Sequence, residues 1–312
     1  MSTKYCFGID VGGTTIKCGL FNTDGNILDK WEIPTRLESK GANILPDVAQ
    51  TILEKMDSLK IKKQDVTGIG IGIPGPVDEN GAVDMAVNLH WGKVNIKETL
   101  SELTGIPVLA ANDANVAALG ELWKGGGEGY HNMIMVTLGT GVGGGIIIND
   151  RILAGSNGAA GEIGHAHVED AIKDPCNCGN CGCLEQVASA TGIVRLAREE
   201  LSATDEDSVL RGGKISAKVV FDAIKAGDIV ACRVAERFGY YLGKALAVFA
   251  CVTAPEVFVI GGGVSKAGPV VIDYVQKYYR QFAFPACKQA VFALATLGND
   301  AGIWGAAKMV LQ

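Results

Sequence analysis

The sequence predicts an α/β protein of two domains with mixed sheets, and three observations carry that expectation. The chain has 312 residues, more than a single hydrophobic core usually encloses. Short apolar strands alternate with stretches of helical periodicity along its length. A strand, a glycine-rich turn and a second strand open the chain, and the same pattern restarts at Met133, which suggests an internal duplication.

Tyr5 to Asp10 is a short apolar strand, and Thr15 to Phe21 is a second apolar stretch beyond a glycine turn, so the chain begins as a β-hairpin. Asp24-Gly25 supplies the next turn and Ile27 to Pro34 a third strand. Ala42 to Leu59 carries apolar residues at helical spacing. Val66 to Ile73 reads as a buried strand stopped by Pro74-Gly75-Pro76. Val94 to Gly105 reads as a helix closed by its glycine, followed by the strand Pro107 to Ala111. From Ala114 to Trp123 the alanine-rich segment is helical, with Asn112 or Asp113 as its N-cap. Past the glycine-rich linker Lys124 to Gly129 come strands Met133 to Leu138 and Gly144 to Ile148. Helices are expected near Ser216 to Ala226, Ile229 to Thr253 and Ala301 to Val310, with a strand at Glu256 to Ile260. The expected division is a small α/β domain of residues 1–112 plus 300–312 and a large one of 113–299.

Charged residues are 20% of the chain and apolar ones 48%, proportions of a folded globular protein rather than a disordered or coiled-coil one. The formal net charge of −6 disfavours a general grip on nucleic acid. No apolar run reaches the roughly 18 to 20 residues that span a bilayer, so no membrane partner is expected. The first five residues do not read as a secretory leader, and the nine cysteines are therefore expected in a reducing cytoplasm. Four of them crowd between Cys176 and Cys183, which points to metal binding before disulfides.

Three glycine-rich segments carry candidate chemistry. Asp10-Val11-Gly12-Gly13-Thr14-Thr15-Ile16-Lys17 puts a carboxylate at a strand end, glycines in the turn and hydroxyls beyond it. Glycines let backbone N–H groups approach an anion closely. Asp10 can hold Mg²⁺, usually through water, while Thr14 or Lys17 can face phosphate oxygens. Thr137 to Gly145 is a second hairpin turn in which five glycines fall within seven residues, more than packing alone explains. Its GxGxxG spacing lacks the strand, glycine turn and helix of a dinucleotide site. Gly261-Gly262-Gly263 follows a strand, where a flat glycine surface could lie against an adenine or ribose.

These segments, with Ile73-Pro74-Gly75-Pro76, Asn112-Asp113-Ala114-Asn115, Gly161-Glu162-Ile163-Gly164-His165 and the cysteine cluster, resemble the successive signatures of the ROK family of sugar kinases and repressors. They run in family order over essentially the whole chain. The resemblance implies an actin-like ATPase (ribonuclease H-like) fold, with two domains flanking a cleft and closing over sugar and ATP. It implies a catalytic aspartate at Asp113 and sugar contacts from Gly75, Asn112, Asp113, Glu162, His165 and Glu185. Nucleotide contacts fall on Asp10, Gly12, Gly13, Thr14, Lys17, Thr140, Gly141 and Gly262.

Cys176 to Glu185 fits the family pattern C-x-C-G-x-x-G-C-x-E. The family's zinc ligands fall on His165, Cys176, Cys178 and Cys183, a three-thiolate, one-imidazole set typical of closed structural sites. Zinc on one ring nitrogen of His165 would direct the other toward the sugar. Cys181 stands at a variable position, so a site of four cysteines, with Cys181 replacing His165, and free buried thiols are both open alternatives.

Asn88-Leu89-His90-Trp91 resembles a segment of the family's glucokinases, which implies MgATP-dependent transfer to the 6-hydroxyl of glucose. Kinases for N-acetylmannosamine, N-acetylglucosamine, fructose or allose share most of the motifs, and a non-catalytic sugar sensor is a further alternative. The family's repressors carry a DNA-binding domain ahead of this fold, whereas the first phosphate motif here starts at Asp10, so a repressor is not expected. The family's habit implies a homodimer or homotetramer.

Overall fold

A computed structural model describes residues 4–312, which form two compact units. The first comprises the described residues up to Gly129 with Gly145–Gly161 and Leu297–Gln312; the second comprises Tyr130–Gly144 and Glu162–Thr296. The sequence-based division placed the first boundary after Asn112, whereas the compact first unit runs on through the helix that follows.

The first unit is built on β1 (Tyr5–Val11), β2 (Thr15–Asn22), β3 (Ile27–Pro34), β4 (Val66–Ile73) and β5 (Val108–Asn112), in the spatial order β3-β2-β1-β4-β5. β1 pairs antiparallel with β2, while β4 runs parallel to both β1 and β5. β4, buried at nearly every position, is a central strand covered on both faces; β3 alternates half-buried with exposed residues, as a sheet edge does. Helix α1 (Ile44–Ser58) buries Ile44, Leu45, Val48, Ala49, Ile52 and Met56, the stripe expected of an amphipathic helix laid on a sheet. A two-residue ladder joins Ala82–Val83 to Val94–Asn95, so helix α2 (Ile96–Thr104) starts two residues later than its apolar pattern suggests, capped by the Asn95 side chain.

Helix α3 (Asp113–Lys124) and the last helix of the chain, α8 (Ala301–Leu311), pack closely in this unit. Gly120 faces the Ala301 carbonyl and Gly305 the Val116 carbonyl, places where any β-carbon would overlap backbone. The fully buried Glu121 carboxylate of α3 accepts from Gly126 N and from Leu297 N, both at 2.8 Å. Those bonds fasten the returning C-terminal segment beside the N-terminal sheet.

The second sheet has the order β8-β7-β6-β9-β10, with β6 (Met133–Leu138), β7 (Val142–Ile148), β8 (Arg151–Ile152), β9 (Val257–Gly261) and β10 (Val291–Leu294). β7 and β8 are antiparallel; β9 runs parallel to β6 and β10. Strand for strand this repeats the order of the first sheet, so the duplication suggested by two hairpins extends to whole sheets. Around this sheet the second unit carries α4 (Ala190–Ala203), α5 (Ala217–Lys225), α6 (Ile229–Thr253) and α7 (Pro269–Phe282). Among the described residues no helix is long and apolar enough to cross a membrane.

Candidate active site and metal centre

In the first unit β1 delivers Asp10 to the sheet end, opposite Lys17 in register. The turn that follows is closed by Gly12 N donating to Thr15 O at 3.0 Å, and Thr35 pins it from β3's end through Thr35 Oγ1 to Gly12 O at 2.7 Å and Thr35 N to Thr14 O at 2.9 Å. Gly13 and Thr14 are left exposed at its tip. The Asp10 carboxylate lies against Gly302 in the first turn of α8, where a side chain would collide with it and where the helix end favours negative charge. Burial raises the Asp10 pKa above the ordinary aspartate value, with the charge of Lys17 opposing. The Lys17 ammonium donates to Asn299 O at 2.6 Å, toward the loop ahead of α8; an ammonium has three donors, so this bond does not exhaust it.

Strand β5 ends in Asn112 and α3 begins with Asp113. Asn112 Oδ1 accepts from Ala114 N at 3.0 Å and Asn115 N at 3.2 Å, so Asn112 is the N-cap, and its amide nitrogen donates to Gly75 O at 3.1 Å. Gly75 has φ of +115°, a conformation that strongly favours glycine. Asp113 Oδ1 accepts from Ala114 N at 2.8 Å. The sequence-predicted trio Gly75, Asn112 and Asp113 is thus brought together by one hydrogen-bonded junction.

In the second unit the turn between β6 and β7 is closed by Gly139 N donating to Gly141 O at 3.0 Å. Gly141 abuts the Glu185 carboxylate. Gly262, with φ of +83°, lies against the backbone of Leu138 and opens the short helix Gly262–Ser265. Beside it a cavity of about 410 Å³ is lined by Ala217, Phe221, Gly263 and Val264, with Lys218 and Lys266 at its edge.

The metal-ligating atoms of His165, Cys176, Cys178 and Cys183 all lie within 4.8 Å of one another. His165 Nδ1 is 3.6 Å from Cys176 Sγ, and Cys178 Sγ is 3.6 Å from Cys183 Sγ. Tetrahedral zinc, with Zn–S of about 2.3 Å and Zn–N of about 2.0 Å, separates its ligand atoms by about 3.5 to 3.8 Å, so this donor set fits zinc. Cys181 is not in the set: its thiol donates to Lys173 O at 3.2 Å, so the residues that group are His165 and three cysteines rather than four cysteines. Neighbouring His167 is also turned away, bonded to Cys181 O at 2.9 Å and Asp170 Oδ1 at 2.8 Å.

With Nδ1 among the thiols, His165 Nε2 faces Glu162 Oε2 at 3.9 Å. Glu185 Oε1 accepts from Cys176 Sγ at 2.8 Å and lies 4.0 Å from His165 Nδ1. Glu162, His165 and Glu185, matched one by one from the sequence, therefore cluster at the rim of the cysteine loop. The lining of the 410 Å³ cavity by α5 residues was not legible in the sequence, because Ala217 and Phe221 belong to an ordinary amphipathic stripe.

Residues 6–312 match the ROK family. The chain is 46% identical to a glucokinase of Halalkalibacterium halodurans, over 100% of this chain and 96% of that one. A xylose repressor of Bacillus spizizenii is 28% identical over 99% of this chain and 77% of its own length. A ROK family glucokinase of Streptomyces griseus, solved in complex with glucose and AMPPNP, superposes with a TM-score of 0.72 at 34% identity, covering 99% of each chain. Motifs in family order, paired sheets of one topology and likeness along the full length agree: the chain belongs to the ROK family, with its actin-like fold.

Proposed function

We propose that this chain phosphorylates glucose, moving the γ-phosphoryl group of MgATP to the 6-hydroxyl. The observation that carries the reading is the Asn112–Asp113 junction: a carboxylate at a helix N-terminus, beside an amide locked to Gly75, in a chain alike along its whole length to a glucokinase. A helix N-terminus favours negative charge on such a carboxylate. Such a carboxylate is a weak base, which suffices because phosphoryl transfer passes through a loose transition state, where the hydroxyl loses its proton late and positioning dominates.

The other roles are assigned residue by residue. Gly75, Asn112, Glu162, His165 and Glu185 offer the mixture of acceptors and donors that a polyol requires. Asp10 would hold Mg²⁺, and Gly12, Gly13, Thr14, Lys17, Thr140 and Gly141 would supply donors to phosphate oxygens. The apolar cavity beside Gly262 and Gly263 suits a purine, and Lys266 in its lining carries a charge complementary to phosphate. His165, Cys176, Cys178 and Cys183 would hold zinc, which would serve there to fix the loop that leads into Glu185.

The protein works in the cytoplasm without nucleic acid or membrane; its net charge of −6 disfavours a grip on nucleic-acid phosphates. Val248 and Val252, 57% and 82% exposed on one face of α6, support a homodimer or homotetramer.

Initial rates of ADP release from MgATP test the reading against glucose, mannose, fructose, allose, N-acetylglucosamine and N-acetylmannosamine. Glucose is expected to have the highest kcat/KM. Preference for an amino sugar would keep the mechanism and replace the substrate, since a few pocket hydrogen bonds decide between such sugars. No turnover with any of them in zinc-loaded protein would move the chain to sugar sensing.

A further inference from the structure

We propose that Thr191 is a positioning residue for the nucleotide: its hydroxyl holds the peptide between Thr140 and Gly141 so that the Gly141 N–H is presented to phosphate. The inference rests on the reading above that this turn meets the nucleotide phosphates.

The β6–β7 turn is held from outside itself at two successive carbonyls. Ala190 N donates to Gly139 O at 2.8 Å, and Thr191 Oγ1 donates to Thr140 O at 2.8 Å. Both donors are in the first turn of α4, and the Ala190 N–H is one of the amides that a helix cannot bond internally. Thr191 is itself fixed by the cap of that helix. Its Oγ1 lies 2.8 Å from Ser189 Oγ, which is fully buried and accepts from Gly192 N at 3.0 Å. Two hydroxyls carry two protons, and Ser189 Oγ also reaches Glu185 O at 2.6 Å. The Glu185 carbonyl already receives Ser189 N at 3.3 Å. In a relay from Ser189 to Thr191 to Thr140 O, the Thr140 carbonyl has the Thr191 proton and the Glu185 carbonyl keeps the Ser189 N–H.

The consequence follows from peptide geometry. In a planar trans peptide the C=O and the next residue's N–H point in opposite directions. Fixing Gly139 O and Thr140 O on the α4 side aims the Thr140 and Gly141 N–H groups to the other side. Successive N–H groups aimed one way form an anion-binding concavity. A turn this rich in glycine would otherwise spend conformational entropy to reach that state on binding. Thr191 thus acts on phosphate through the turn without touching it, and it stands 51 residues away in sequence.

The test compares the full-length wild-type chain with Thr191→Val, which keeps the volume and loses the hydroxyl, and Thr191→Ser, which keeps the hydroxyl. KM for MgATP and for glucose are measured, with calorimetric titration by the magnesium complex of a non-hydrolysable ATP analogue. Thr191→Val is expected to raise the ATP KM and the analogue Kd by about 5- to 10-fold, the value of one neutral hydrogen bond, with glucose KM unchanged and Thr191→Ser restoring both. The inference is overturned if the ATP KM stays near wild type, if both KM values rise together, or if Thr191→Ser behaves like Thr191→Val. Should the valine variant fail to fold by circular dichroism, Thr191→Ala replaces it. The analogue titration needs no turnover, so it still judges Thr191 if the wild type proves not to phosphorylate glucose.

Discussion

Replacing Asp113 with asparagine is expected to lower kcat by about 10²- to 10⁴-fold, the usual worth of a general base, while glucose binding changes little. The fold around the site should survive, because the cap of α3 is Asn112 and not Asp113. An asparagine at 113 keeps an oxygen able to accept from Ala114 N, as Asp113 Oδ1 does at 2.8 Å. What it loses is the proton acceptor. Calorimetry with glucose and steady-state rates on the same preparation separate the two effects. A variant with full rate would show that Asp113 is not the base, and one that neither binds nor turns over would show that its role is to hold the sugar.

Loss of the metal is expected to be nearly as damaging. Metal analysis should find about one zinc per chain, and Cys183→Ser or prolonged chelation should remove it, lower Tm and cut activity by at least about 10-fold. Cys183 is fully buried, so the loop has no means of replacing its thiolate with solvent. Cys181→Ser is the control: its thiol faces Lys173 O and is outside the donor set, so zinc content and Tm should stay as in the wild type. Zinc lost from the Cys181 variant and retained in a His165→Ala variant would reinstate the four-cysteine site.

Much of the fold could be read before any coordinates because local pattern and tertiary role coincide. The opening hairpin is such a case: Tyr5 to Ile9 is apolar because β1 lies inside its sheet, Asp10 breaks that run at the strand end, and the glycine turn separates it sharply from β2. Other elements were less legible. β10 is only Val291–Leu294, too short for periodicity to distinguish from a loop. α7 begins at Gly268-Pro269, a start signal, yet its many tyrosines blur the apolar stripe. At the site, the aspartate, glycine and cysteine motifs announce themselves by unusual residue types at fixed spacing. Choosing between His165 and Cys181 was beyond spacing, because both are near enough in sequence and only the path of the loop turns Cys181 away. Ser189 and Thr191 gave no signal at all, since two hydroxyls at a helix start read as an ordinary cap.

Phosphorus NMR of the products reads the transfer of phosphate from MgATP to the 6-hydroxyl of glucose without an intermediary assay. Zinc-loaded protein incubated with MgATP and glucose is predicted to yield ADP and glucose 6-phosphate in equal amounts. ADP accompanied by inorganic phosphate alone, a phosphoester at another hydroxyl, or unchanged ATP would contradict it.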